Sequence, residues 1–182
     1  MRRILSVLVA AMLIMGSVAI SGAEEAAPEA APAPPPAPAV TAKNVGDVVP
    51  EWTGTNLVDN AVVKGSSLKG KPYALLFVNS ACSACRAEMT DLNKLDFGDN
   101  LNMMLVSIDA NVGRAVKVYK GRFGIKFPIL DDSSQAISSM FGFYFSPAAV
   151  IVDQDGKVSQ QFSGYAPSVK EEVLSAFKKY AN

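Results

Sequence analysis

The chain has 182 residues, 17 basic and 17 acidic, and 49% of its residues are hydrophobic. This length and apolar content suit one folded domain with a sizeable core. Balanced charge, without a basic stretch interleaved with aromatics, argues against nucleic-acid binding. The chain has two cysteines and no histidine, so one copy cannot supply the four nitrogen or sulfur ligands of a structural zinc site. We predict no metal site and no organic cofactor.

Residues 1–23 have the pattern of an export signal. Arg2 and Arg3 precede an apolar run from Ile4 to Ile20, and Ser21-Gly-Ala23 places small residues where a signal peptidase acts. We predict cleavage after Ala23 and a periplasmic or other extracytoplasmic location. An uncleaved membrane anchor is the alternative, because the run is only slightly shorter than a membrane span.

A segment rich in proline and alanine follows the export signal. Residues 24–40 read EEAAPEAAPAPPPAPAV, a composition that cannot bury a core and predicts an extended, semi-rigid spacer. The folded domain is therefore predicted over residues 41–182. Without Arg2 and Arg3, 15 basic residues remain against 17 acidic ones, which gives the exported chain a net charge of −2.

The first predicted elements are a hairpin and a buried strand. Thr55–Val58 and Ala61–Val63 flank an Asp59-Asn60 turn and read as a β-hairpin. Ser66–Lys71 is predicted as a loop or a single helical turn. Pro72–Val78 is continuously apolar, as expected of a strand buried on both faces of a sheet. We predict that the single tryptophan, Trp52, lies in the core or covers the hairpin.

The remaining elements alternate between helices and strands. Met89, Leu92 and Leu95 recur at helical spacing and predict an amphipathic helix over Ala84–Leu95. Further along the chain we predict a buried strand over Leu101–Ile108, a helix over Val112–Phe123, an extended piece over Phe127–Leu130 and a short helix over Ser134–Phe141. Two hairpin strands follow over Ala148–Val152 and Val158–Phe162. The last helix is predicted to begin at Ser168, which forms a capping-box pattern with Glu171. This order of elements indicates an α/β domain.

The two cysteines lie where the buried strand gives way to the helix. Cys82 and Cys85 are separated by two residues, and a helix N-terminus favours a thiolate because its backbone N–H groups are unpaired. Thiol pKa values at such sites fall from about 8.5 to between about 3.5 and 7.5. The pattern therefore predicts a thiol–disulfide exchange site, with Cys82 as nucleophile and Cys85 as resolving cysteine. Asn79 and Ser80 can donate hydrogen bonds near the thiolate or serve as helix caps.

Two other interpretations of the cysteine pair are open. A structural disulfide suits an exported protein, although a ring with two intervening residues constrains little unfolded-chain entropy. Two unrelated buried cysteines are the other alternative.

Three motifs resemble the exported disulfide reductases of the TlpA/ResA type, which have the thioredoxin-like fold. They are Leu68-Lys-Gly-Lys71 with Cys82-Ser-Ala-Cys85-Arg-Ala-Glu88-Met, then Val106-Ser-Ile-Asp109 with Tyr119 and Phe127-Pro-Ile-Leu130, and finally Phe145-Ser146-Pro147 before Ile151-Val-Asp153-Gln-Asp-Gly156-Lys-Val158. The resemblance implies a three-layer sandwich, in which helices flank a central mixed β-sheet, with an N-terminal β-hairpin extension. It covers residues 48–164, nearly the whole predicted domain.

The resemblance also implies roles for residues beyond the cysteines. Pro147 would follow a cis peptide bond against the disulfide, and the backbone of Ser146 would pair with an incoming substrate strand. Glu88 would move protons during exchange. The implied partners are protein thiols and disulfides of the cell envelope and an upstream redox partner, and we expect a monomer. Ala81 and Ala84 replace an aromatic residue and a proline that are usual in the family, so partner docking and redox potential do not transfer from relatives.

Three alternative functions share this scaffold. A peroxiredoxin-type peroxidase would have Thr or Ser and Pro at the positions of Asn79 and Leu75, which argues against it. A copper-delivery protein would need a longer cysteine spacing and a histidine. A non-catalytic binding module that has kept the fold is the third alternative.

Overall fold

The computed structural model describes residues 42–182, so the predicted signal peptide (1–23) and spacer (24–40) lie outside the described residues. The strands are β1 (Thr53–Thr55), β2 (Val62–Lys64), β3 (Tyr73–Val78), β4 (Asn102–Ser107), β5 (Ile129–Asp131), β6 (Ala148–Val152) and β7 (Val158–Ser163). The α-helices are α1 (Ser83–Leu92), α2 (Val112–Val116), which continues as a π-helix (Lys117–Arg122), and α3 (Pro167–Lys178), with 3₁₀ turns at Gly65–Leu68 and Ser138–Phe141. Within this range, no helix is long and apolar enough to cross a membrane.

Five strands form a mixed sheet in the order β5-β4-β3-β6-β7. Strands β3, β4 and β5 run parallel, whereas β6 pairs antiparallel with both β3 and β7. The predicted α/β fold with a central mixed sheet is confirmed. Every residue of the central strand β3 is buried, which explains its unbroken apolar sequence.

The alternating side chains of β3 enter two separate hydrophobic cores. On one face, Leu76 packs in a core to which α1, α2 and α3 contribute. On the other face, Leu75 packs with Trp52, Ile137 and Phe141, which come from the N-terminal segment and the 3₁₀ region before β6. The layer on this second face is therefore built from short turns and the hairpin segment, and Trp52 belongs to the core.

The N-terminal hairpin is confirmed, although its strands lie further apart in sequence than the pattern predicted. Thr53 pairs with Lys64 and Thr55 with Val62, so the connection spans residues 56–61. Asn60, at the predicted turn, adopts a φ of 61° and donates its backbone N–H to the carbonyl of Asn56. Asparagine tolerates this left-handed conformation better than most residues do.

Three predicted helices have other boundaries in the structure. The short helix predicted over Ser134–Phe141 is only a 3₁₀ turn at Ser138–Phe141. Helix α1 ends at Leu92, three residues before Leu95. Helix α3 begins at Pro167 with Ala166 as its N-cap, and no side chain caps it, so the predicted capping box is wrong. Proline suits the first turn because its missing N–H would have no helical partner there.

Candidate functional site

The cysteine pair lies at the junction between β3 and α1. Cys82 is the N-cap of α1, and its Sγ accepts a hydrogen bond of 3.0 Å from the backbone N–H of Cys85. The two cysteines are disulfide-bonded, with their Cα atoms 5.3 Å apart. Cys82 is partly exposed, whereas Cys85 is fully buried against the core. Of the two sulfurs, only Sγ of Cys82 is therefore accessible to another protein without rearrangement of the fold.

The sheet register brings a second loop to the cysteines. Phe77, near the end of β3, pairs with Ala148, the first residue of the antiparallel strand β6. The segment before β6 therefore lies at the edge of the sheet where β3 ends. The Ser146–Pro147 peptide bond is cis, as the resemblance implied. The carbonyl oxygen of Ser146 lies 3.7 Å from the Sγ of Cys82.

Glu88 is buried one helical turn beyond Cys85. Its side chain is 1% exposed, and its Oε2 has no hydrogen-bond partner within residues 42–182. Burial raises its pKa to about 8, because desolvation penalises the charged carboxylate. The folded protein therefore holds this carboxyl largely protonated at neutral pH. The sequence placed Glu88 near Cys85 but could not reveal its burial.

Asp109 supports the loop that carries Cys82, a role that sequence analysis missed. Its carboxylate accepts hydrogen bonds from the backbone N–H of Ser80 at 3.0 and 3.1 Å and from the Ser80 hydroxyl. It also accepts one of 2.8 Å from the hydroxyl of Ser107. The order of the strands could have predicted this role. Asp109 follows β4, which runs parallel to β3, and the carboxyl ends of parallel neighbours lie at the same edge of a sheet.

Two further hydrogen bonds hold the loop that carries Cys82. The hydroxyl of Tyr119, in the π-helix, donates a 2.9 Å hydrogen bond to the carbonyl of Asn79. Arg86 donates from Nη1 to the carbonyl of Ser80 at 3.2 Å. The side chain of Asn79 accepts from the N–H of Ala81 and does not reach the sulfur. Neither Asn79 nor Ser80 caps α1, since Cys82 has that position itself.

Comparison with known proteins gives the family. The Redoxin family model matches residues 44–176, almost the whole described range. The chain belongs to the Redoxin family. Thiol-disulfide oxidoreductase ResA of Bacillus anthracis is 30% identical over 137 residues, which cover 74% of this chain and 78% of that protein.

Solved structures agree with this redoxin in fold. A Chlorobium tepidum protein assigned as a thiol:disulfide interchange protein DsbE has a TM-score of 0.66 and 24% identity, and the match covers 76% of this chain and 99% of that one. A secreted Mycobacterium tuberculosis disulfide oxidoreductase, homologous to E. coli DsbE, has a TM-score of 0.61 and 24% identity over 70% of this chain and 95% of that one. These structures confirm the predicted thioredoxin-like fold, and the match to ResA confirms the predicted thiol–disulfide oxidoreductase class.

Proposed function

We propose that this redoxin is an exported protein that exchanges disulfides with other proteins through Cys82. The observation that carries the proposal is the placement of a partly exposed sulfur at a helix N-terminus, bonded to a buried second sulfur and 3.7 Å from the Ser146 carbonyl. Arg2, Arg3 and the apolar run after them support export, and a related fold occurs in a secreted oxidoreductase.

The exchange takes place in two balanced steps. The Cys82 thiolate attacks a client disulfide, forms a mixed disulfide with one client sulfur and releases the other as a thiolate. The Cys85 thiolate then attacks Sγ of Cys82, which closes the Cys82–Cys85 disulfide and releases the second client thiolate. Two electrons pass from the cysteine pair to the client, and the same steps in reverse oxidise a client dithiol.

Backbone and proton-transfer groups surround this reaction. Ser146, before the cis proline, offers its backbone to the client segment bonded to Cys82. Glu88 serves Cys85, which lies one turn away on the same buried face of α1. A carboxyl with a pKa of about 8 can accept the proton of the Cys85 thiol and return it in the reverse reaction near neutral pH.

Single-cysteine variants test the order of the two steps. We expect both Cys82→Ser and Cys85→Ser to lose catalysis of insulin reduction by dithiothreitol. Cys85→Ser in its thiol form should accumulate a mixed disulfide with a disulfide-containing client protein, because its nucleophile remains and its resolving thiol is gone. A mixed disulfide trapped by Cys82→Ser instead would contradict the assigned roles. Peroxide consumption that survives in Cys85→Ser would favour the peroxidase alternative.

The role of Glu88 predicts a pH signature. In Glu88→Gln, resolution of the mixed disulfide should slow by about a hundredfold, the lower end of the contribution typical of general acid–base catalysis. The inflection near pH 8 that the carboxyl contributes should also disappear from the rate profile. Stopped-flow measurement between pH 6 and 9 checks both, with the exposed Glu171→Gln as the matched control. An unchanged profile would remove Glu88 from the proton path.

A further inference from the structure

Two exposed aromatic side chains lie beside the exchange site. Tyr144 is 64% exposed and Phe145 is 49% exposed, and no other aromatic side chain within residues 42–182 is exposed. They directly precede Ser146, whose carbonyl contacts Cys82 Sγ. Large apolar side chains left in water next to a reactive atom mark a contact surface, since their exposure contributes nothing to the fold.

Phe145 is held in place by the core beneath it. Its ring packs edge-on against Phe143, with centroids 6.1 Å apart, and Phe143 packs in turn against Phe77 at 5.4 Å. Both Phe143 and Phe77 are buried. The ring of Phe145 is therefore held in place before any ligand binds. Packing against its exposed half costs little conformational entropy of the Phe145 side chain.

The backbone of this segment is also open to a partner. Within the described part of the chain, Tyr144, Phe145 and Ser146 neither donate nor accept a backbone–backbone hydrogen bond. An extended peptide can add to such an edge through its main chain while alternate side chains enter neighbouring contacts.

Charged side chains are few near Cys82: the partly exposed Arg86 and the buried Asp109 both bind Ser80, two residues before it. No charged residue occurs in residues 79–85, which hold the cysteines, or in residues 133–152, which hold the aromatic pair. Residues 162–169 are also uncharged, and they adjoin the site because Gly164 donates its N–H to the carbonyl of Pro147. A charged client side chain that packed on Tyr144 and Phe145 would lose water there, and their own segment offers it no ionic partner.

We propose that Tyr144 and Phe145 form a docking surface for an extended client segment in which an apolar side chain lies next to the reactive cysteine. The inference rests on the exchange function proposed above and specifies its substrate class. Packing of that side chain on the aromatic pair would bring the client sulfur to Cys82, so clients with charged or small polar flanks react more slowly.

The test uses the full chain in its dithiol form and three short peptides. Each peptide has one cysteine in mixed disulfide with 2-nitro-5-thiobenzoate, flanked on both sides by leucine, serine or glutamate. Exchange oxidises Cys82 and Cys85 and releases the peptide thiol and the yellow thiolate. The second-order rate constant of chromophore release from each peptide is divided by the rate constant with the symmetrical chromogenic disulfide. That disulfide has no peptide flanks, so changes in the reactivity of the Cys82 sulfur cancel in the ratio.

The expected result is a preference of about tenfold for leucine over serine flanks, the scale of one buried aliphatic contact, and a larger one over glutamate. In Tyr144→Ser/Phe145→Ser the leucine preference should disappear, and in Tyr144→Leu/Phe145→Leu most of it should return. The matched control, Val58→Ser/Val62→Ser, removes two exposed apolar side chains from the N-terminal hairpin and should keep the preference.

Two outcomes would overturn the inference: no leucine preference in the native chain, or a preference that survives in Tyr144→Ser/Phe145→Ser. Failure of the exchange function itself looks different. If Cys82 does not carry out exchange, chromophore release will be equally fast in Cys82→Ser and the native chain for every disulfide. That result would contradict both the exchange function and the docking proposal.

Discussion

The environment of Glu88 differs strongly from that of a free side chain in water. Its carboxyl is buried on α1 among core residues, and the resulting desolvation raises its pKa to about 8. A group in this state costs stability once the solution is basic enough to ionise it in the unfolded chain. The site therefore combines a group suited to proton transfer with a measurable penalty in folding free energy.

The sign of this penalty can be predicted. Below the unfolded pKa of about 4.3 both states hold the proton, so the native fold has its full stability. As pH rises toward 8 the unfolded chain loses the proton and the folded chain keeps it, so the free energy of unfolding falls. Glu88→Gln removes this dependence. Its stability relative to the native residue should improve by roughly 2–5 kcal/mol between pH 4 and pH 9.

Urea unfolding of the disulfide-bonded protein at a series of pH values measures this difference. Glu171→Gln, on an exposed position of α3, should show no comparable trend. A difference between Glu88→Gln and the native protein that stays constant with pH would mean that the carboxyl is ionised in the fold at neutral pH.

At the scale of elements, the active-site loop is fixed to the end of a neighbouring strand. Asp109 follows β4 and binds the Ser80 backbone and hydroxyl, while Tyr119 binds the carbonyl of Asn79 from the π-helix. Cys82 thus stands on a segment held from two sides, which limits how far its sulfur can move from Ser146. Such support keeps a reactive group in position without direct contact with a substrate.

Removal of this support should cost stability. Asp109→Ala leaves the buried N–H of Ser80 and the hydroxyl of Ser107 without their acceptor, and we expect a loss of about 2–4 kcal/mol. Asp109→Asn, which keeps one acceptor oxygen, should lose less. Asp155→Ala, at an exposed turn, should change stability by less than about 0.5 kcal/mol. Chemical denaturation compares the three, and a loss below 1 kcal/mol for Asp109→Ala would show that the loop does not depend on this carboxylate.

For the whole molecule, the sheet has a closed core on each face. Leu76 packs under the three α-helices and Leu75 under the N-terminal segment and the 3₁₀ region, and both side chains are fully buried. The second layer has little regular structure, but its side chains exclude water as completely as the helices do. The N-terminal residues around Trp52 are therefore part of the folded unit.

This arrangement predicts similar losses on both faces. Leu75→Ala and Leu76→Ala should each destabilise the protein by about 2–5 kcal/mol, because each leaves a cavity in a packed core. Val58→Ala, at an exposed position of the hairpin connection, should lose less than about 0.5 kcal/mol. Thermal and urea unfolding provide the comparison. A loss below 1 kcal/mol for Leu75→Ala alone would mean that the layer of short turns does not close its face of the sheet.

Much of this architecture was predictable from local patterns. The continuous apolar run of β3 and the helical spacing of Met89 and Leu92 identified the strand and the helix that bracket the cysteines. The turn at Asp155-Gly156 identified the β6–β7 hairpin. These signals are readable because burial on one or both faces of an element imposes a fixed period on the residues along it. Helix ends were less accurate, since Pro167 and its neighbours offered competing start signals.

The sequence by itself determined that two cysteines share the tip of a helix after a buried strand, because that follows from spacing along one segment. Only the tertiary structure decided that Glu88 is buried, that Asp109 supports the loop of Cys82, and that Tyr144 and Phe145 stand in solvent beside it. Burial and contact between distant segments depend on sheet register and on how layers close over the sheet. Local periodicity does not contain that information, because each of these contacts joins residues from separate parts of the chain.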